Sequence, residues 1–185
     1  MNTIHNGYIE TYTGRFINPL KPAPDAVFIE DIAHSLSMQC RFNGHCSGFY
    51  SVAEHSVHTA EVVQMLSDAS PETAKFALLH DAAEAYLCDI PRPVKKSFPG
   101  YAAWEQALFD VICDRFIGRL PTKKETVDMY RADDIMLAAE AESLTASKGK
   151  DWGLKEKPLD GIEILCWNPG ESEEKFLDKY RNLLI

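Results

Sequence analysis

Four apolar residues, Phe76-Ala77-Leu78-Leu79, run directly into His80-Asp81, and this junction constrains the fold more than any other stretch of the chain. Burying an aspartate without partners is costly. A chain that places one at the end of an apolar helical run must therefore fold so that other polar groups meet it. Neighbouring residues on a helix project about 100° apart. Both side chains can reach one point lying off the helix, provided other helices supply the remaining partners.

Start signals, stop signals and apolar spacing predict those helices. Glu30 to Met38 carries Ile32, Ala33 and Leu36 at helical intervals. Ser51-Val52-Ala53-Glu54 reads as a capping box that opens a helix running to about Leu66. Ser70-Pro71-Glu72 is a second start, with Ser at the N-cap and Pro at the first helical position. That helix is expected to continue through Phe76, Leu79, Ala83 and Leu87 until Asp89-Ile90-Pro91-Arg92-Pro93 stops it. Further helices fit Tyr101 to Ile117 (closed by Gly118), Lys123 to about Ser147 (closed by Gly149) and Glu171 to Leu184. Arg41 to Gly48 reads as a loop, and Lys150 to Gly170 as irregular chain. At the other end, Tyr8 to Asn18 places aromatic and β-branched residues on either side of Thr13-Gly14, which predicts a short hairpin. Pro19-Leu20-Lys21-Pro22-Ala23-Pro24 must connect it to the rest. The expected fold is all-α, a helical bundle with a small N-terminal β-hairpin, in a single domain spanning residues 1–185.

Composition narrows the function. With 28 Asp+Glu against 19 Lys+Arg the formal charge is −9, and such a surface repels a phosphate backbone, so no nucleic acid polymer is expected as partner. A small phosphate-bearing substrate remains open, because a metal or a few cations reverse the field locally. Apolar stretches fall short of the ~20 residues that span a bilayer, and Met1 to Asn6 lacks the regions of a signal peptide. No membrane association is expected. Cys40, Cys46, Cys88, Cys113 and Cys166 are scattered without a C-x-x-C, so reduced thiols and a cytoplasmic location are expected.

Candidate partners for His80 and Asp81 are His55, on the preceding helix, and Asp133, within Arg131-Ala132-Asp133-Asp134 on the long one. Two imidazoles and two carboxylates suit one divalent transition metal, Mn, Co, Fe or Zn, with positions left for water and a substrate oxygen. Taken singly, a helical histidine more often packs through a hydrogen bond and an aspartate more often faces water. Glu84 shares the face of His80 and Asp81. It is placed to orient or deprotonate a water, or to support His80, unless it is simply a surface glutamate. Asp89 reads either as a proton donor or as a turn residue. Arg92, Lys95 and Lys96 form a basic cluster beside the site, where a phosphate is expected to dock if the cluster is not merely solvated.

The succession His55, His80-Asp81, Asp133 resembles the signature of the HD-domain phosphohydrolases. The chain is most similar among them to small bacterial 5′-deoxynucleotidases and phage deoxynucleoside triphosphohydrolases. The resemblance rests on Ile32-Ala33-His34-Ser35-Leu36-Ser37-Met38-Gln39-Cys40-Arg41-Phe42, Tyr50-Ser51-Val52-Ala53-Glu54-His55-Ser56, Leu79-His80-Asp81-Ala82-Ala83-Glu84-Ala85-Tyr86, Asp89-Ile90-Pro91-Arg92-Pro93-Val94-Lys95 and Ala132-Asp133. It implies an HD-domain helical bundle whose metal ligands are His55, His80, Asp81 and Asp133. Asp133 is preferred to Asp134 because the Ala-Asp pair and Glu140 fit the family pattern. The resemblance also implies water activation and leaving-group protonation by Glu84 and Asp89, and contact of Arg41 with the nucleotide phosphate. Phe42 stands where the deoxynucleotidases typically carry Trp near the sugar and base. No histidine follows His80, whereas similar two-metal proteins draw further histidines from downstream helices, so one metal is expected.

The implied activity is hydrolysis of the C5′ phosphoester of a 2′-deoxynucleotide by a homo-oligomer. The substrate is either a dNMP, releasing phosphate, or a dNTP such as dATP, releasing triphosphate. An HD-type phosphodiesterase, a diiron oxygenase and a non-catalytic helical adaptor are the alternatives.

Overall fold

A computed structural model describes residues 7–66 and 68–184. Strands β1 (Ile9–Glu10) and β2 (Phe16–Ile17) pair antiparallel, Ile9 opposite Ile17 and Glu10 opposite Phe16. Gly14 takes φ 78° at the turn, a conformation that costs glycine nothing. The hairpin is pinned to the helices at its tip. Asp31 accepts from the Thr13 backbone N–H at 2.8 Å and from its hydroxyl at 3.0 Å.

The proline-rich connection leads through a 3-10 turn, Pro24–Ala26, into α1 (Ile29–Met38), whose Ile32, Ala33 and Leu36 are fully buried as their spacing predicts. A second 3-10 turn, Arg41–Gly44, follows in the expected loop, with Phe42 and Asn43 both at positive φ. Helix α2 (Val52–Met65) lies at the centre of the bundle, packed by α1, α3, α7 and α8. Its start is as predicted, with the Ser51 hydroxyl accepting from the Glu54 N–H at 3.0 Å. The reciprocal half of the capping box is not formed. Glu54 turns away and its carboxylate accepts three backbone N–H groups, from Leu165 at 3.1 Å, Cys166 at 2.9 Å and Trp167 at 2.7 Å.

The helix expected from Ser70 to Leu87 is divided. Helix α3 (Thr73–Leu79) ends before His80, and a separate short α4 spans Glu84–Leu87. Between them the hydrogen bonds tighten to three-residue spacing, Ala82 N–H to Leu79 O at 3.0 Å and Glu84 N–H to Asp81 O at 2.9 Å. The dihedrals stay helical, so the apolar register continues and the sequence pattern registers no break. A further short helix, α5 (Arg92–Lys95), follows Pro91 in what reads as a plain stop.

Helix α6 (Tyr101–Phe116) ends at Gly118 as expected. Helix α7 (Lys123–Leu144) opens with a complete capping box of Thr122 and Glu125, and stops three residues short of Ser147 because Thr145 turns extended at φ −106°, ψ 149°. In the irregular chain that follows, Gly149 (φ 71°) has no room for a side chain. A Cβ there would stand 2.9 Å from Leu154 and 3.0 Å from Ala141. Helix α8 (Pro169–Leu184) returns across α1 and α2. The core comprises Phe76, Leu78, Leu79, Leu108, Ile112, Met129, Ile135 and Phe176. No described helix is long and apolar enough to cross a membrane.

Candidate metal centre

Three separate elements deliver the predicted ligands to one point. The largely buried α2 brings His55, the tightened turn after α3 brings His80 and Asp81, and the middle of α7 brings Asp133. The Nε2 atoms of His55 and His80 are 3.2 Å apart. Asp133 Oδ1 lies 3.3 Å from His55 Nε2 and 3.9 Å from His80 Nε2, and Asp81 Oδ2 lies 3.5 and 3.2 Å from the same two atoms. Ligand bonds of about 2.0–2.2 Å put neighbouring donors about 3.0–3.6 Å apart around a single ion. His55, His80 and Asp133 each offer an atom within 4.8 Å of the others, a His-His-Asp group that can hold a metal ion.

The hydrogen bonds behind the imidazoles fit that reading. His80 Nδ1 lies 2.7 Å from the Ala77 carbonyl, which can only accept, so its proton sits on Nδ1. His55 Nδ1 faces Glu140 Oε1 at 2.5 Å and donates to it likewise. Nε2 is then the ring atom that each imidazole has left to offer an ion, and carboxylate oxygens lie alongside both. Such a nest demands positive charge, and these donors suit a borderline divalent cation. The same demand shows in the protonation of His55. Burial and Arg41 pull it down, but Glu140 and Asp133 outweigh them and raise it to about 9. Burial opposes ionisation of Asp133 too, yet the two histidines hold it down at about 2. Asp81 is lowered by His80, His55 and Arg41 against its own desolvation.

Around this point the charges interlock. Glu140 is fully buried, and its second oxygen accepts from Arg41 Nε at 3.2 Å and Nη2 at 3.1 Å. Arg41 Nη1 also reaches Asp81 at 3.4 Å. Arg92 donates to the outer oxygen of Asp133 at 2.6 Å and to Asp134 at 3.1 Å. Lys95 is held between Glu84 at 3.2 Å and Glu105 at 2.6 Å. Arg92 and Lys95, two of the three cations read as a phosphate-binding cluster, are thus engaged with carboxylates. Glu84 is buried, not a surface glutamate, and burial together with the nearby charges of Asp81 and Asp89 raises it well above the ordinary range, against Lys95 and Arg41. Asp89 is raised as well, first by desolvation and then by Asp81.

Every predicted site residue except the fully buried His55 lines one cleft of about 1120 Å³. Phe42 stands at its edge with Trp152, their rings 6.0 Å apart and tilted by 59°. Two participants lay outside the predicted site list. Glu140 sits two turns beyond Asp133 on α7, a spacing that puts both on one face. Trp152 lies in irregular chain, where no periodicity marks it. The remaining histidines among the described residues serve elsewhere. His34 stacks on Tyr12 and bonds Glu173 at 2.9 Å, His58 pairs with Glu61 at 3.0 Å, and His45 is exposed beyond the Arg41–Gly44 turn.

No family model matches the chain. It is 36% identical over 178 residues to the uncharacterized protein YfdR of Escherichia coli, an alignment covering 95% of each chain. It is 35% identical over 185 residues to the uncharacterized protein RCAP_rcc00048 of Rhodobacter capsulatus, covering 93% of each.

Proposed function

The chain belongs to the family of YfdR and RCAP_rcc00048, and we propose that it is a cytoplasmic, homo-oligomeric, metal-dependent phosphohydrolase of the HD-domain type. It cleaves the C5′ phosphoester of 2′-deoxynucleotides. The observation that carries this reading is the pair of imidazole Nε2 atoms 3.2 Å apart, flanked by Asp81 and Asp133, at the wall of a cleft that also holds Glu84 and Asp89. His55, His80, Asp81 and Asp133 hold one Mn, Co, Fe or Zn ion. When bound, that ion supplies Lewis-acid polarisation of a phosphoryl oxygen and a lowered pKa for nearby water.

The chain's own groups do the rest. Glu84, raised by burial, is a stronger base once ionised than a solvated glutamate, and takes a proton from the attacking water. Asp89 keeps its proton to higher pH than an ordinary aspartate and gives it to the leaving 5′ oxygen. Arg41, Arg92 and Lys95 face the equatorial phosphate oxygens, where transition-state charge collects. Each holds a carboxylate partner at present, so phosphate binding exchanges one anion for another. Phe42 provides an apolar wall for the sugar and base.

Purified protein incubated with Mn²⁺ or Co²⁺ and each common dNMP and dNTP tests this. Free phosphate from a dNMP, read with malachite green, or triphosphate from a dNTP, read by anion-exchange chromatography, supports the reading. Turnover of neither class would falsify it.

A further inference from the structure

We propose that Gln39 is a positioning residue that fixes the separation of Glu84 and Asp89, an inference that rests on the phosphohydrolase reading above. Gln39 closes α1 and lies across the segment that carries both acids. Its side-chain NH₂ donates to the backbone carbonyl of Glu84 at 3.1 Å and to the Ser35 hydroxyl at 3.2 Å. Its side-chain oxygen accepts the backbone N–H of Asp89 at 2.9 Å. One amide thus clamps the first residue of α4 to Asp89, two residues past its end.

The clamp spans a turn that needs holding. Cys88, between the two anchor points, sits at φ 74°, ψ 148°, a conformation that residues bearing a Cβ rarely adopt. Such backbone persists where its surroundings over-determine it. Here the Cys88 N–H bonds Glu84 O at 2.8 Å, and the Tyr101 hydroxyl donates to Cys88 O at 2.8 Å. Gln39 ties the flanks. It also carries the reference frame of the metal centre, because its backbone carbonyl accepts the N–H of Val52, first residue of the helix that bears His55, at 3.1 Å. Only a side chain with donor and acceptor at one end makes both contacts. Glutamate keeps the acceptor and loses the donor, and methionine keeps the length and loses both.

The test uses the full chain and its Gln39→Met and Gln39→Glu variants, loaded with Mn²⁺ for kinetics and Zn²⁺ for NMR. In Gln39→Met, amide hydrogen exchange at Asp89 should quicken about tenfold or more. With the most rapidly turned-over deoxynucleotide, kcat should fall by about 10²-fold, while KM and Mn²⁺ affinity by calorimetry stay within about threefold. Gln39→Glu should lose kcat comparably yet retain Asp89 protection. Unchanged exchange at Asp89 in Gln39→Met overturns the proposal. A fall in metal affinity that matches the fall in kcat does so too, because it marks general structural damage. Wild-type protein that hydrolyses no deoxynucleotide, while Asp89 protection still collapses in Gln39→Met, overturns the phosphohydrolase reading and leaves the clamp as a purely structural contact.

Discussion

Glu140 touches no point of the cleft, yet it bonds His55 through one oxygen and Arg41 through the other. It sets the proton on His55 Nδ1 and so frees Nε2. Partners of this kind typically govern metal affinity by about 10–100-fold. Glu140→Gln should weaken Mn²⁺ or Co²⁺ binding by that factor in titration calorimetry, whereas Asp134→Asn should change it little. Lys95 allows a second test at this scale. Its ammonium lowers Glu84 against the stronger upward push of burial. In Lys95→Met, Glu84 rises further and ionises later, so the acid limb of kcat/KM should move to higher pH. A limb that stays in place would detach Glu84 from the base role. That polar groups from other helices, His55 and Asp133 among them, gather at His80 was foreshadowed by the residues, because an aspartate beside His80 behind an apolar run must find partners. The pairing of Arg92 and Lys95 with carboxylates was not, since a basic cluster reads the same whether its partners come from water, phosphate or a distant helix.

Helix ends divide into those written in local chemistry and those decided by contacts far along the chain. The Ser51 cap and the Gly118 stop belong to the first kind, as does the Thr122–Glu125 box, which reading the sequence passed over. Thr122→Ala should cost about 1 kcal/mol in urea unfolding, without change in metal affinity. The second kind includes Glu54, whose spacing from Ser51 signals a reciprocal cap while its carboxylate serves three amides over a hundred residues away. Also of this kind is the break between α3 and α4. Apolar positions there stay in phase through the tightened turn, so the pattern reads one helix where the backbone makes two. That turn is what swings His80 and Asp81 toward α2 and α7.

At the scale of the whole molecule, an ion bound by α2, the α3–α4 turn and α7 cross-links the bundle. An ion held at about 100 times its Kd adds about 2.7 kcal/mol. In a chain of this size that corresponds to a rise of about 5–10 °C in Tm, which EDTA should abolish in a melting scan. Acid should act on the same cross-link. Asp133 is held at about 2 in the folded state, below its ordinary range. Its contribution is therefore full above about pH 4 and fades as pH falls toward the folded value. Metal-free protein should accordingly lose Tm steeply from pH 4 to 2, and Asp133→Asn should flatten that slope. The bundle, the hairpin and the proline-rich join between them were legible from periodicity and turn residues. The irregularity of the segment before α8 was legible too, but its path from 145 to 168 was not, because it is held by point contacts rather than by any repeating pattern.

Those point contacts have a bearing on how the protein is made. Glu54 and His55 are neighbours on α2, but the amides that satisfy Glu54 belong to Leu165, Cys166 and Trp167. On a ribosome releasing the chain from its N-terminus, the bundle's middle helix has only His58 among the described residues, 3.6 Å from the Glu54 carboxylate, as a partner for it until residues 165 to 167 emerge. A nascent chain stalled short of position 165 therefore lacks the three amides that accompany burial of Glu54, however many of its other helices have already formed.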